Sequence, residues 1–418
     1  MIRLILKQLW TLRRRTAWLY AELLLCLCLA WYIVDYGVQI LHNRFLPNAF
    51  DIEGVYTARY LPPRGSQPSS AVADSYPERI RRFPGVREVY ASSGQVAPYL
   101  GAQALLGLTL DKTQSAEDKK ILVYEKSIEN DSYFSILGIR SIYTGELIRL
   151  NYSDPNAVVI SRSLARYFFA DEDPRGKLID EAEHRFVAKG LVDWRVVDVC
   201  EDFKVEDYRL PVPLAFLPMT RGERIANQYI FSTDETFNAA AFSEEILRCS
   251  SLGELRQRRE FWEGITKKEM MARTVTLFFV VSIALGVIGS FWFRTQQRRG
   301  ELALRMTLGC SPRRLSGHII LEALILLLAA ALPALVINYL VFSADLTLTL
   351  TKNFDEWWMA SNEVISQDTY YWINLPWMRF LVGNLLTLAL MGTVVVLSVW
   401  IPARKAAQIQ PVEALGSE

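Results

Sequence analysis

Four apolar runs of about 20 residues dominate the hydrophobic pattern of this chain. A helix rises about 1.5 Å per residue, so each run is long enough to cross a hydrocarbon core of roughly 30 Å. The second and fourth runs have uncharged centres, at Thr274–Phe293 and Phe380–Trp400. Four such runs in one chain predict membrane spans rather than buried helices of a soluble protein. We place these spans at residues 17–41, 273–293, 319–342 and 378–400.

The first run also follows a basic segment, a pattern that it shares with secretory signal peptides. Its apolar stretch exceeds the usual ~7–15 residues and no A-x-A cleavage pattern follows, which favours a retained anchor. Glu22 and Asp35 lie near its two ends. We expect both carboxylates to reach toward the lipid head groups. The alternative is that they face a neighbouring helix.

The charges that flank the spans indicate one orientation. Basic residues cluster before the first span, in the loop 294–318 and after the fourth span, whereas the loop 343–377 is mainly acidic. The positive-inside rule then places both termini and the loop 294–318 in the cytoplasm, with residues 401–418 as a cytoplasmic tail. The loop 343–377 would lie outside, and its tryptophans suggest that it rests on the membrane surface.

Residues 42–272 are thereby predicted to form one large extracytoplasmic domain, long enough to bury a core of its own. Strand-like runs rich in Val, Ile or aromatic residues alternate there with helix-like runs. The predicted strands are Ile121–Ile128, Ala157–Ser161, Trp194–Val199 and Pro213–Pro218. The predicted fold class is a membrane protein with an all-α, four-helix transmembrane region and an α+β extracytoplasmic domain inserted between the first two spans.

Composition and motifs argue against an enzyme. The mean hydropathy of +0.13 excludes a disordered chain, and 46 basic against 45 acidic side chains argue against nucleic-acid binding through bulk charge. The chain contains no G-x-S-x-G, H-E-x-x-H or C-x-x-C motif and no phosphate-binding P-loop. We therefore expect no catalytic residue, no metal ligand and no cofactor in this chain, and any ATP-driven work would come from another chain.

Two cysteines, Cys200 and Cys249, fall in the predicted extracytoplasmic domain and are candidates for a disulfide. Whether their Cα atoms come within the required ~7 Å is not determined by the sequence. The pairing stays open at this point.

The loop between the second and third spans carries the most specific pattern. Glu301, Leu302 and Arg305 follow helical spacing, Glu301 and Arg305 form an i,i+4 pair, and Gly309 is placed to end the helix. Two interpretations are open. The helix could cover the end of the bundle and carry a surface ion pair worth about 0.3–0.5 kcal/mol. It could instead be the surface that a cytoplasmic partner binds.

In these residues the chain resembles the MacB/FtsX-type permease subunits of ABC transporters, which include the lipoprotein-releasing permeases. The order of one span, a large outer domain and three spans is the same. The loop is similar to the family's pattern at Arg298, Glu301, Leu302, Ala303, Leu304, Arg305, Leu308, Gly309 and Ser311. The tail PARKAAQIQPVEAL and the outer stretch NDSYFSILGI also resemble the family, the latter its MacB-like periplasmic core domain. Family members show a short amphipathic helix before the first span, here residues 1–16, and an early acidic residue in the third span, here Glu322.

The resemblance implies a non-catalytic permease that couples ATP hydrolysis to movement of the outer domain. A cytoplasmic ABC ATPase, which binds ATP and Mg, would dock on the helix that carries Glu301, Leu302, Arg305 and Gly309. A second permease chain, either a copy or a paralogue, and a periplasmic adaptor or lipoprotein are further implied partners, in a bacterial inner membrane. Glu22 and Glu322 are the candidate intramembrane polar residues.

The cargo stays open between export or extraction of a lipoprotein, peptide or amphiphile and regulation of an envelope process. A different class of protein is a membrane-anchored extracytoplasmic ligand sensor. We expect a sensor to need a cytoplasmic output domain, and only 18 residues follow Trp400. This favours the permease.

Overall fold

The computed structural model describes most of the chain. The predicted amphipathic helix falls largely outside the described residues, as does the tail beyond residue 406. The described residues are 13–62, 70–92, 97–99, 104–109, 121–181, 193–204, 209–219, 226–262, 264–297, 299–347, 364 and 368–406.

The described helices and strands are as follows in chain order. The helices are α1 (Arg13–Phe45), α2 (Ser70–Ala73), α3 (Tyr76–Arg81), α4 (Ser132–Leu137), α5 (Arg162–Phe169), α6 (Ala239–Glu245), α7 (Leu252–Trp262), α8 (Ile265–Gln297), α9 (Arg299–Thr307), α10 (Pro312–Ser343) and α11 (Pro376–Ala406). The strands are β1 (Val55–Arg59), β2 (Val86–Ser92), β3 (Ala104–Thr109), β4 (Ile121–Ile128), β5 (Ala157–Ser161), β6 (Leu178–Glu181), β7 (Asp193–Cys200), β8 (Leu214–Pro218), β9 (Gln228–Thr233) and β10 (Cys249–Ser251).

The chain divides into two compact units. The helical unit holds residues 1–39, 266–349 and 375–418, and the α/β unit holds residues 40–265 and 350–374. The helices α1, α8, α10 and α11 are each long and apolar enough to cross a membrane. Since the α/β unit is inserted between α1 and α8, the predicted fold class is confirmed.

The buried face of α1 explains how the helical unit is held together. Its buried side chains recur every four residues, the spacing of one helix face. The apolar part of this stripe, from Leu19 through Leu23 to Leu27, packs into a core with Val287 of α8 and Ala330 of α10. Further along the helix the same stripe becomes polar, at Asp35 and Gln39. Small residues on α10, such as Ala330 at 0% exposure, are typical of close packing between membrane helices.

The described strands of the α/β unit form two sheets. One is a four-stranded antiparallel sheet in the order β10-β1-β9-β2. The other is a closed barrel in the order β3-β4-β8-β5-β7-β6, in which β4 pairs with β8, and β5 with β7, in parallel. All five residues of β5 are buried, as a continuous apolar run in a parallel pair requires. The strands predicted at Ile121–Ile128 and Ala157–Ser161 are confirmed with the same bounds, and the other two lie within one residue of β7 and β8.

The candidate disulfide is not formed, and its two cysteines belong to different sheets. Cys200 ends β7 in the barrel, and Cys249 begins β10 in the four-stranded sheet. Both thiols are free, with Cys200 Sγ donating to the Ile160 carbonyl at 3.7 Å and Cys249 Sγ lying 3.5 Å from Ser243 Oγ. Complete burial raises the pKa of the Cys200 thiol well above its usual value, so this side chain acts as a small apolar group.

Candidate functional site

The short helix α9 lies between α8 and α10, where the sequence predicts the partner-binding loop. Its end is a Schellman motif: Cys310 N donates to the Arg305 carbonyl at 3.0 Å, and Gly309 N donates to the Met306 carbonyl at 3.0 Å. Gly309 takes φ +92°, which a residue with a Cβ adopts only at a cost. The prediction that Gly309 ends this helix is confirmed. Pro312 then opens α10 at its first position.

The two faces of α9 differ in what they contact. Leu302 is 3% exposed and packs in the core that holds Leu315 and Ala403, so this face is anchored on α10 and α11. Leu304 is 53% exposed, and Leu308, which directly follows the last residue of α9 and lies four residues after Leu304, is 80% exposed. We call this pair the α9 apolar face. Arg305 is half-buried on the same helix.

The predicted ion pair between Glu301 and Arg305 lies outside what the structure describes. Glu301 belongs to α9, but its side chain is not among the described ones. The role assigned to these two residues therefore stays a prediction.

The predicted intramembrane residues lie inside the helical unit. Glu22 is half-buried on α1, its carboxylate lies against Gly286 of α8, and Ser290 Oγ of the same helix donates to it at 3.4 Å. Glu322 on α10 is 3% exposed. Asn338 of α10 donates from its side-chain nitrogen to Asn384 of α11 at 2.9 Å. Polar contacts of this kind join membrane helices that apolar packing alone would leave weakly paired.

Asp35 corrects the expectation that both acidic residues of the first span reach toward the head groups. It is 1% exposed and takes a fork of two hydrogen bonds from the Arg379 guanidinium of α11, with Nε to Oδ1 at 2.9 Å. Gln39 Nε2 adds a donor at 3.2 Å. A buried carboxylate is expensive unless it is paired, and this one is paired across two helices. Glu22 likewise faces a neighbouring helix, α8.

A segment of the loop between α10 and α11 is bound to the barrel, and we call Val364 with residues 368–374 the strap. Val364 is 1% exposed within the barrel core. Tyr371 Oη donates to Asp202 Oδ2 at 2.6 Å, and Arg166 pairs with Asp368 Oδ1 at 3.0 Å. Burial and the Asp202 carboxylate raise the pKa of Tyr371, so it keeps its proton.

Two further contacts fix the strap. The Arg162 guanidinium lies over the Tyr370 ring at 3.7 Å and also pairs with Glu201 at 2.7 Å. Trp372 packs edge-on against His42 at 4.9 Å between ring centroids. Trp372 is half-buried, and the expectation that the loop rests on the membrane stays a prediction.

Sequence reasoning missed the pairing of Asp35 with Arg379 and the docking of the strap. A signal for the first was available, since each residue is a charge beside an apolar span and the two have opposite sign. Both also lie at the span ends that flank predicted outer segments. For the strap we find no comparable sequence signal, because its acidic and aromatic residues are equally typical of a surface loop.

Among the described residues, no group of His, Cys, Asp or Glu side chains is placed to hold a metal ion. The contacts described at α9, between the membrane-length helices and at the strap are hydrogen bonds, ion pairs and apolar packing.

The comparisons with known proteins give one family match. Residues 273–411, from α8 through α11 and beyond, match the family model described as FtsX-like permease C-terminal. Among curated proteins, none matches the chain.

Three solved structures are similar to part of the chain. The periplasmic region of MacB from Actinobacillus actinomycetemcomitans is 14% identical, with 51% of this chain and 94% of that chain covered and a TM-score of 0.32. The extracellular domain of the noncanonic ABC-type transporter YknZ from Gram-positive bacteria is 14% identical, covering 46% and 87%, with a TM-score of 0.29. A permease-protein domain from Porphyromonas gingivalis is 18% identical, covering 50% and 86%, with a TM-score of 0.31.

Proposed function

We infer that this chain is the membrane subunit of an ABC transporter. The inference starts from a permease of the MacB/FtsX type with an FtsX-like domain at residues 273–411. The family implies an ABC ATPase as partner. That partner would be a separate cytoplasmic chain and would bind the ATP and Mg. The permease would carry out no chemistry itself and would convert closure of the ATPase into movement of its α/β unit.

The observation that carries this proposal is the two-sided helix α9. One side, through Leu302, is anchored in the core of the helical unit. The other side exposes Leu304 and Leu308, two large apolar side chains on a loop that the positive-inside rule assigns to the cytoplasm. A short helix that presents an apolar i,i+4 pair fits a groove on a partner protein. Glu301 and Arg305 would orient the helix in that groove.

The anchored side explains how a displacement of α9 would reach the other helices. Leu302 shares its core with Leu315 of α10 and Ala403 of α11, and the Schellman turn joins α9 to α10 without a flexible linker. Close-packed side chains transmit displacement rather than absorb it. A push on the α9 apolar face would therefore move α10 and α11 together.

The further partners are proposed on the resemblance. Two such chains, identical or paralogous, would pair in the membrane so that each docks one ATPase. A periplasmic adaptor or lipoprotein would bind the α/β unit. The positive-inside pattern supports an α/β unit outside the cytoplasm and both termini inside it. The cargo class is a lipoprotein, peptide or amphiphile, or else the movement itself regulates an envelope process.

The test is whether an ATPase subunit purifies with the full chain from mild-detergent extracts of the native host. In the double variant Leu304→Glu, Leu308→Glu the ATPase should be lost, because two buried carboxylates would oppose docking. The matched control is Leu304→Met, Leu308→Met, which keeps an apolar face and should retain the ATPase. A second variant, Glu301→Lys with Arg305→Glu, tests the polar contacts and should weaken recovery of the ATPase.

If the glutamate variant inserts normally and still binds the ATPase, the role of α9 is refuted. If no ATPase appears with the wild-type chain under conditions that preserve other membrane complexes, the coupling proposal as a whole fails. The ligand-sensor alternative would then become the leading one.

A further inference from the structure

A cavity of about 590 Å³ opens on the barrel side of the α/β unit, between α5 and the strap. Its volume lies within the ~300–1,000 Å³ of small-molecule sites. One wall comes from α5 and the turn that follows it, the other from the strap. The lining residues are Ser163, Arg166, Tyr167, Ala170, Asp171, Val364, Asp368 and Thr369. The cavity plays no part in the docking of an ATPase on α9.

Asp368 has one carboxylate oxygen that the fold leaves without a hydrogen bond. Oδ1 accepts from the Tyr370 backbone N at 2.9 Å and forms an ion pair with the Arg166 guanidinium at 3.0 Å. Oδ2 is buried and has no hydrogen-bond partner among the described residues. The Asp368 side chain is 3% exposed, and the residue lines the cavity. A buried carboxylate oxygen without a donor is costly, and a donor supplied by a ligand would offset that cost.

The charges around the cavity favour a cationic donor over an anion. Of the charged residues that line it, Asp171 and Asp368 are acidic and Arg166 is basic, so the wall carries one negative charge in excess. Behind it, Arg162 pairs with Glu201, and Asp202 adds a further acid 3.9 Å from the same guanidinium. This second layer is also negative by one. An anionic ligand would meet these carboxylates, whereas a cation would be attracted to them.

Arg166 limits how the ligand can be held. The Arg166 guanidinium already pairs with Oδ1 of Asp368, so a ligand that carries a second, bulky guanidinium would compete with Arg166 for the same carboxylate. A compact ammonium needs only the unfilled Oδ2 and presents three N–H donors. Ala170 on one wall and Val364 on the other add apolar lining that suits an alkyl chain attached to the nitrogen.

We propose that this cavity binds a primary ammonium group carried on an alkyl chain, with Asp368 Oδ2 as the acceptor and Asp171 as the second acidic wall. The proposal goes beyond the permease function, since it assigns a ligand-binding site to the α/β unit. Two sources share this chemistry, namely a peptide amine and the head group of an aminophospholipid.

The experiment is calorimetric titration of the full chain in a maltoside detergent with butylammonium chloride as the probe. We expect saturable binding to the wild-type chain and at least a tenfold weaker affinity in Asp368→Asn. Tetramethylammonium, which carries the charge but no N–H donor, should bind at least tenfold more weakly than butylammonium. The matched control is Glu146→Gln, at an exposed carboxylate of the same unit that does not line the cavity, and it should bind like wild type.

A second variant keeps the test decisive if Asp368→Asn disturbs the fold. Thr369→Trp places a large ring on the exposed rim and leaves the pair of Arg166 with Asp368 in place. It should abolish binding. Absence of saturable butylammonium binding to the wild-type chain, or unchanged binding in both variants, would overturn the proposal.

The source of the ammonium is then resolved by two pairs of probes. A tripeptide amide with a free amino terminus is compared with its acetylated form, and glycerophosphoethanolamine with glycerophosphocholine. The pair that shows the larger difference identifies the source. Recovery of the ATPase should be unchanged in Asp368→Asn, so failure of this site and failure of the permease proposal are separate results.

Discussion

Breaking the fork between Asp35 and Arg379 should destabilise the helical unit more than any neutral contact that we describe between its helices. The perturbation is Arg379→Met, which removes the guanidinium and keeps a long apolar side chain. Asp35 would stay 1% exposed with only the Gln39 amide, 3.2 Å away, as a side-chain donor. The bidentate contact and the weaker one from Arg379 to Thr347 Oγ1 at 3.4 Å would both be lost.

The magnitude follows from the burial of the carboxylate. Removing one partner of a buried ion pair costs about 3–5 kcal/mol, because the other charge is left without compensation. In a membrane the unfolded reference state also finds partners for polar groups, which lowers such values. We therefore expect about 3 kcal/mol for Arg379→Met. The neutral contact between Asn338 and Asn384, 2.9 Å long, should cost only about 0.6–1.7 kcal/mol when Asn384 is replaced by Leu.

The double variant Asp35→Leu, Arg379→Met separates the value of the pair from the cost of the isolated charge. With both charges gone, neither member of the pair is left as an uncompensated buried charge, and replacement of a buried pair by apolar residues is often neutral. We expect the double variant to lie within about 1 kcal/mol of wild type, which gives a coupling energy of at least about 2 kcal/mol.

The assay is reversible unfolding of the purified chain by SDS in mixed micelles. One series measures wild type, the single variants Arg379→Met and Asp35→Leu, the double variant, and Asn384→Leu. A double variant whose loss of stability equals the sum of the two single losses would refute the reasoning. So would a single Arg379→Met variant that is as stable as wild type, since the carboxylate would then not depend on its partner.

Two further predictions concern the α/β unit. Tyr371→Phe removes the hydroxyl that donates to the buried Asp202 carboxylate at 2.6 Å, and it should lower the free energy of unfolding by about 1.5–3 kcal/mol in thermal or urea denaturation. The control Tyr370→Phe keeps its ring contact with Arg162 and should lower the stability little. Equal losses of stability in the two variants would contradict this account. Burial lowers the pKa of Lys126 to about 7. Between pH 7 and 10 the unfolded chain therefore binds more protons than the folded chain, so the native state gains stability as the pH rises. The stability of wild type relative to Lys126→Met should therefore increase over this range by up to ~1.4 kcal/mol per pH unit, and a pH-independent difference in melting measurements would refute the shift.

The sequence predicts this fold best where local pattern and final environment agree. The four membrane helices follow from apolar runs, since a span in lipid needs little besides length and hydropathy. Gly309 is predictable because its role depends on local backbone geometry. Strand β5 is predictable because a continuous run of Val and Ile is typical of a strand buried on both faces.

The remaining features depend on which distant segments meet. The parallel pairing of β4 with β8 closes the barrel, and nothing in the two strands specifies that partner. The sequence predicts the Asp35 carboxylate in the head-group region, because a charge in an apolar span is costly unless it is paired and the sequence does not specify a partner. Its partner is separated from it by 344 positions in the chain. The buried Asp368 Oδ2, which has no hydrogen-bond partner among the described residues, can be identified only from the position of the strap on the barrel.

The strap joins two parts of the chain that are far apart in sequence, the barrel and the connection between α10 and α11. The barrel belongs to the insertion between α1 and α8, yet it also holds the connection between α10 and α11 through Val364, Asp368 and Tyr371. A backbone cut placed at residues 350–363 would therefore leave a carboxyl-terminal fragment that keeps its own anchor on the other fragment. The chain can thus be regarded as two complementary pieces that recognise each other. A gene split at this position should yield fragments that reassemble when they are expressed together.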